Sequence, residues 1–138
     1  MVDRWGTPLA VWLTAANVNE GPLLEDVIDA IEPIHRPRGR AGRPRKRPDK
    51  LHADKAYASR HNRQVLRQRG ITPRIARPGI DSSRRLGRFR WVVERSLGWL
   101  NRFRRLVIRY ERRGDIHLAL LDLGCALICF NVLQHGFC

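Results

Sequence analysis

One stretch constrains this chain more than any other: Arg88 to Arg113, which reads RFRWVVERSLGWLNRFRRLVIRYERR. Phe89, Val93, Leu97, Leu100, Phe103, Val107 and Tyr110 recur every third or fourth residue. That spacing predicts a long helix with these residues on one apolar face. Arginine dominates the other positions, and one carboxylate, Glu94, sits in the middle of them. Arg90 lies four residues before Glu94 and Asn101 seven after it, so the three are expected to share a face. Glu94 is then either an ion-pair partner or a metal ligand, and the stretch alone leaves both open.

The charge narrows the class of partner. Lys and Arg number 27 against 13 Asp and Glu, a formal net charge of +14 over 138 residues. Such a balance favours a polyanion, and nucleic acid is the commonest one. Arginine outnumbers lysine, which suits two-pronged phosphate contacts. A hydrophobic fraction of 43% excludes a disordered polymer and supports a core, read here as one domain over residues 1–138. Three cysteines, all in the last fourteen residues, argue against a disulfide scaffold and for a reducing cytoplasm. The N-terminus shows no charged-then-apolar signal pattern. Ile116 to Leu133 is strongly apolar but is interrupted by His117, Asp122 and Asn131. The expectation is a buried core helix, with a membrane span as the alternative.

Taken in order, Trp5-Gly6-Thr7-Pro8 reads as a turn and Leu9 to Thr14 as a strand. The strand that should pair with it has no sequence to come from, which suggests a piece of something longer. Asn19 to Pro22 opens a helix with Leu23, Leu24, Val27, Ile28 and Ile31 on its apolar face, ended by Pro33. Residues 35–49 form a loop with seven Arg or Lys and three prolines, either a phosphate contact or a solvated linker. Lys50 to Tyr57 is a short strand carrying Asp54. Ser59 caps a helix that Gly70 stops, and Ile71 to Ala76 is a second strand. Gly114 ends the arginine helix and Asp115 caps the terminal one. Alternating strands and helices predict an α/β layer architecture.

Asp54 at the end of a strand and Glu94 in a helix are the candidate chemistry. Strand carboxyl ends face the site crevice in α/β folds. Two carboxylates meeting there would suit Mg²⁺ or Mn²⁺, which take oxygen ligands and leave room for a phosphate. By spacing alone, a capping acid and an ion-pair acid explain the same residues. Cys125 and Cys129 with His117 or His135 suggest zinc, but free buried thiols explain an apolar helix better. Trp91 and Trp99 are read as packing aromatics rather than base-stacking ones.

HADKAY at His52 to Tyr57 resembles the second-acid motif of bacterial insertion-sequence DDE transposases. RWVVERSLGWLNRFRRLVIRYERR at Arg90 to Arg113 is similar to their C-terminal signature around the glutamate. Val2 to Leu9, followed by Leu13 to Asn17, resembles the turn and strand just upstream. The resemblance covers nearly the whole chain in the family's order. It implies an RNase H-like fold, a mixed sheet flanked by helices, N-terminally truncated here because the first catalytic strand is absent. It implies Asp54 as second acid and Glu94 as third, both binding Mg²⁺ or Mn²⁺. Of the signature's tyrosine, arginine, glutamate and lysine, Arg90 and Glu94 match; Gly87 stands at the tyrosine position and Asn101 at the lysine position. Asp3 resembles a turn residue rather than the first acid.

The activity so implied is metal-dependent strand cleavage and strand transfer in DNA transposition. A chain without the first acid is expected to be inactive alone. Lys55, Arg90, Asn101, Arg102, Arg104, Arg105 and Arg109 are the expected DNA contacts. Expected partners are DNA, both element ends and target, and a second copy or a complementing N-terminal transposase chain, with no membrane. The expected place is the bacterial cytoplasm, at the nucleoid. The rival readings are a non-catalytic DNA-binding regulator and a small RNA-binding protein.

Overall fold

The computed structural model describes residues 1–35, 41–77, 79 and 87–135, the last group without the side chains of 87–90 and 135. The chain divides into two compact units, residues 16–86 and residues 1–15 with 87–138.

The unit of residues 16–86 is built on a strand, helix, strand repeat. A single 3-10 turn, Gly21–Leu23, leads into α1, Leu24–Asp29. The strands β1, Lys50–Ala53, and β2, Thr72–Ile75, pair in parallel, with Lys50 opposite Thr72 and Ala53 opposite Ile75. Parallel neighbours require a crossover, and α2, Arg60–Gln68, supplies it. The Ser59 hydroxyl accepts from the Asn62 N–H at 3.0 Å at the start of α2. Gly70 takes φ +71° at its end, a left-handed stop that glycine adopts without steric cost. Leu24, Ile28 and Ile31 join Leu51, Val65, Leu66, Ile71 and Ile75 in the core. Leu66 and Ile71 are completely enclosed, each stabilising by about 1.5–3 kcal/mol.

In the other unit, α3 spans Gly87–Leu100, α4 Arg104–Val107 and α5 Gly114–His135. The uninterrupted helix expected over 88–113 is therefore broken after Leu100. The cause lies in α5. Leu100, Phe103 and Leu106 seat over Gly124, whose missing side chain leaves the room. A Cβ there would stand 3.1 Å from Leu106 Cδ1 and 3.3 Å from Leu100 Cδ2. Seating all three there requires a turn at Asn101–Phe103, and tertiary packing overrides helix propensity. The expected apolar face is also out of phase: Val93, Leu97, Val107 and Tyr110 are exposed, while Val92 and Ser96 are buried.

Two further expectations change. Leu9 to Thr14 forms no strand; one isolated antiparallel bridge, Val2 with Pro8, stands just before it. The terminal helix α5 is not a buried core helix. Gly124, Cys125 and Ile128 are buried, but Ile116, Leu123, Leu127 and Phe130 form one exposed apolar stripe. By length and mean hydropathy of 2.0, Gly114–Gln134 passes the test for a membrane span, a test that core helices also pass.

Candidate functional site

Asp54 follows the last residue of β1 with extended backbone and caps the 3-10 turn Lys55–Tyr57. Its Oδ1 accepts from the Lys55 N–H at 2.6 Å, and its carbonyl accepts from the Tyr57 N–H at 3.0 Å. The carboxylate is exposed at the carboxyl end of the sheet, where α/β folds place their ligands. Three side chains hold this corner. The buried Asn62 amide donates to the carbonyls of Tyr57 at 3.1 Å and Gly21 at 2.9 Å. The Tyr57 hydroxyl donates to Glu20 Oε2 at 3.0 Å. Burial and then that hydrogen bond push the phenol up to about 12. The Arg63 guanidinium caps the Ile75 carbonyl at 2.8 Å, at the same end of the sheet as Asp54. Asn62 and Arg63 went unread in the sequence, because a polar residue inside a short helix carries no pattern of its own.

Glu94 lies on the exposed side of α3, two residues from the buried Ser96. The turn before Pro8 braces that helix. Asp3 Oδ1 accepts from the N–H groups of Trp5 and Thr7, each at 2.8 Å, so the carboxylate organises a turn. The turn then meets α3 twice. Ser96 Oγ donates to the Gly6 carbonyl at 2.7 Å, and Arg95 donates to the Trp5 carbonyl. The Arg95 guanidinium lies 4.6 Å from the Trp91 ring centre and 4.9 Å from that of Trp99. Each such contact stabilises by about 0.5–1 kcal/mol. The tryptophans thus serve to fix the helix that carries Glu94.

The expected DNA contacts divide by their partners. Lys55, Asn101, Arg102 and Arg104 are exposed. The Asn101 N–H still donates to Leu97 O at 2.9 Å, placing Asn101 just past the end of α3. Arg105 is drawn to Glu111 at 2.8 Å, and Arg109 Nε donates to the Glu111 carbonyl at 3.1 Å. The Arg105 guanidinium holds the Glu111 carboxyl below its usual range. The side chain of Arg90 lies outside the described residues.

Carboxylate oxygens are the donor chemistry a hard divalent ion requires. Asp54 and Glu94 each supply one such group, but no cluster of three or more possible ligands occurs among the described residues. The cysteines do not alter this: burial pushes the Cys125 and Cys129 thiols up, away from the thiolate that binds zinc.

A family profile described as "Transposase DDE domain" matches residues 51–131, a span that holds both Asp54 and Glu94. This chain belongs to that family of DDE transposase domains. It is 52% identical over 136 residues to a Burkholderia cepacia protein named as a transposase for insertion sequence element IS402. The alignment covers 99% of this chain and 63% of that relative, so the chain spans under two thirds of the relative's length. No solved structure matches it.

Proposed function

We propose that this chain is the C-terminal part of an insertion-sequence transposase catalytic domain, acting on DNA in strand cleavage and strand transfer. The observation that carries the reading is the family match across both candidate acids, in a chain of net charge +14. The β1–α2–β2 unit, with Asp54 at its carboxyl edge, is what one part of an RNase H-like mixed sheet would contribute. Asp54 and Glu94 are the proposed ligands of Mg²⁺ or Mn²⁺. Such an ion, when bound, activates water and stabilises charge at phosphorus. Lys55, Arg102 and Arg104 position the phosphate backbone without reading sequence. Full activity is proposed to need a further acid from another chain segment, and the working place is the nucleoid.

The test is nicking and joining of labelled element-end DNA with Mg²⁺ or Mn²⁺. The chain is assayed by itself and with the part of the relative outside the alignment supplied. Chemistry that appears with that part and disappears in Glu94→Gln supports the reading. Tight DNA binding without chemistry in every mixture replaces it with a DNA-binding regulator.

A further inference from the structure

The amino ends of β1 and β2 carry a second feature, opposite the end that bears Asp54. A cleft of about 650 Å³ opens there, lined by the cations Arg43, Arg45, Lys46, Arg47 and Arg69 and by the carboxylates Asp29 and Asp49. The basic loop that builds it is anchored. Ile34 and Arg45 exchange backbone hydrogen bonds at 2.8 and 2.9 Å, and Arg47 Nη1 donates to the Arg69 carbonyl at 2.9 Å. Thr72 donates to Asp49 O at 2.9 Å and fixes the loop's far end to β2.

The cations of the cleft are unequally committed. Arg69 is spent on Glu25 and Asp29, and Arg45 pairs with Asp49. Arg43 and Lys46 line the same space and enter no hydrogen bond or ion pair among the described residues. Lys46 shares the lining with Asp29, and its charge adds a small part to the lowering of that carboxyl's pKa. Two uncommitted cations on an anchored loop, backed by paired arginines, match a phosphodiester backbone better than a neutral ligand.

We infer that this cleft holds the phosphate backbone of DNA away from the reacting phosphate. The inference rests on the DNA reading proposed above. Asp49 and Asp54 stand at opposite ends of β1, about 16 Å apart at ~3.3 Å per residue. That is about five base-pair steps of B-DNA at ~3.4 Å each. The cleft therefore grips flanking duplex and sets affinity and register, while the acid end is left to the chemistry.

The experiment uses the full chain, fluorescently labelled duplex DNA and anisotropy over a range of salt. Each phosphate contact contributes about 0.9 to the slope of log affinity against log salt. Arg43→Ala with Lys46→Ala is expected to make the slope shallower by about 1.8, and Arg43→Lys with Lys46→Arg to restore it. Both side chains are exposed, and unchanged urea midpoints show that the fold is kept. A double variant that binds DNA with the parent's slope overturns the inference and spares the DNA reading. A parent chain that binds no DNA overturns both. Saturation of the cleft by inorganic phosphate, with DNA affinity unchanged in the double variant, makes it a small-anion site and overturns the assignment.

Discussion

The Ser96 hydroxyl donates to the carbonyl oxygen of Gly6 across 2.7 Å and ninety residues of sequence. Both groups are buried, and Gly6 holds φ +83°, a conformation that costs any other L-residue about 1–2 kcal/mol. A Cβ at Gly6 would also stand 2.8 Å from Ser96 Oγ. Gly6→Ala is therefore expected to destabilise the unit by more than the backbone term alone. Ser96→Ala is expected to cost about 1–2 kcal/mol by stranding the Gly6 carbonyl. Urea denaturation of the two variants reads both; an unchanged midpoint for Gly6→Ala would sink the argument.

Asp54 caps a turn and is the proposed metal ligand, and one substitution splits the two roles. Asn caps a turn about as well as Asp but carries no charge. Asp54→Asn is expected to keep stability within about 0.5 kcal/mol and to abolish metal-dependent nicking by the chain supplied with the relative's remaining part. Asp54→Ala is expected to lose the cap as well, about 0.5–2 kcal/mol. Thermal melts alongside nicking assays decide it, and nicking retained by Asp54→Asn removes Asp54 from the metal site.

Arg69 sets an acid limb of stability. Its hydrogen bond, and then its charge, hold the Asp29 carboxyl below the usual range. The sign follows from the depressed folded value. The contribution is fully present above the unfolded pKa of about 3.9 and is lost as pH falls through the lowered value. Replacing Arg69 by Met should flatten that limb in urea midpoints taken across the carboxylate range. Asp29 is exposed, so salt should shrink the difference.

Tyr57 gives the opposite limb. Its phenol is raised to about 12, so the folded state holds the proton that the unfolded state releases near 10. Stability from this group is complete below pH ~10 and declines as pH rises toward ~12. Ultraviolet titration of the phenolate should show the late midpoint, and Tyr57→Phe should remove it. A midpoint near 10 in the folded protein would mean that neither the burial of the phenol nor the Glu20 contact holds in solution.

Local signals made one unit legible. Ser59, Gly70 and the two short apolar runs carry their instructions within a few residues, and α2, β1 and β2 follow them. The candidate acids Asp54 and Glu94 were suggested by motif likeness rather than by spacing. The arginine stretch misled because its apolar residues satisfy helical spacing in more than one phase. What selects the phase is distant: Gly124 receives Leu100, Phe103 and Leu106, and Gly6 receives Ser96. A glycine inside an apolar helical run was the available sign of close packing. The pairing of Arg105 with Glu111 was equally hidden, since an arginine run does not say which member meets an acid.

The exposed stripe of α5 has a consequence for how this protein behaves in a crowded solution. Leu123, Leu127 and Phe130 would draw copies together, while a net charge of +14 pushes them apart. A polyanion cancels the second effect and leaves the first. Nucleic acid then acts as a condensing agent, and turbidity should peak where added phosphate charge equals protein charge.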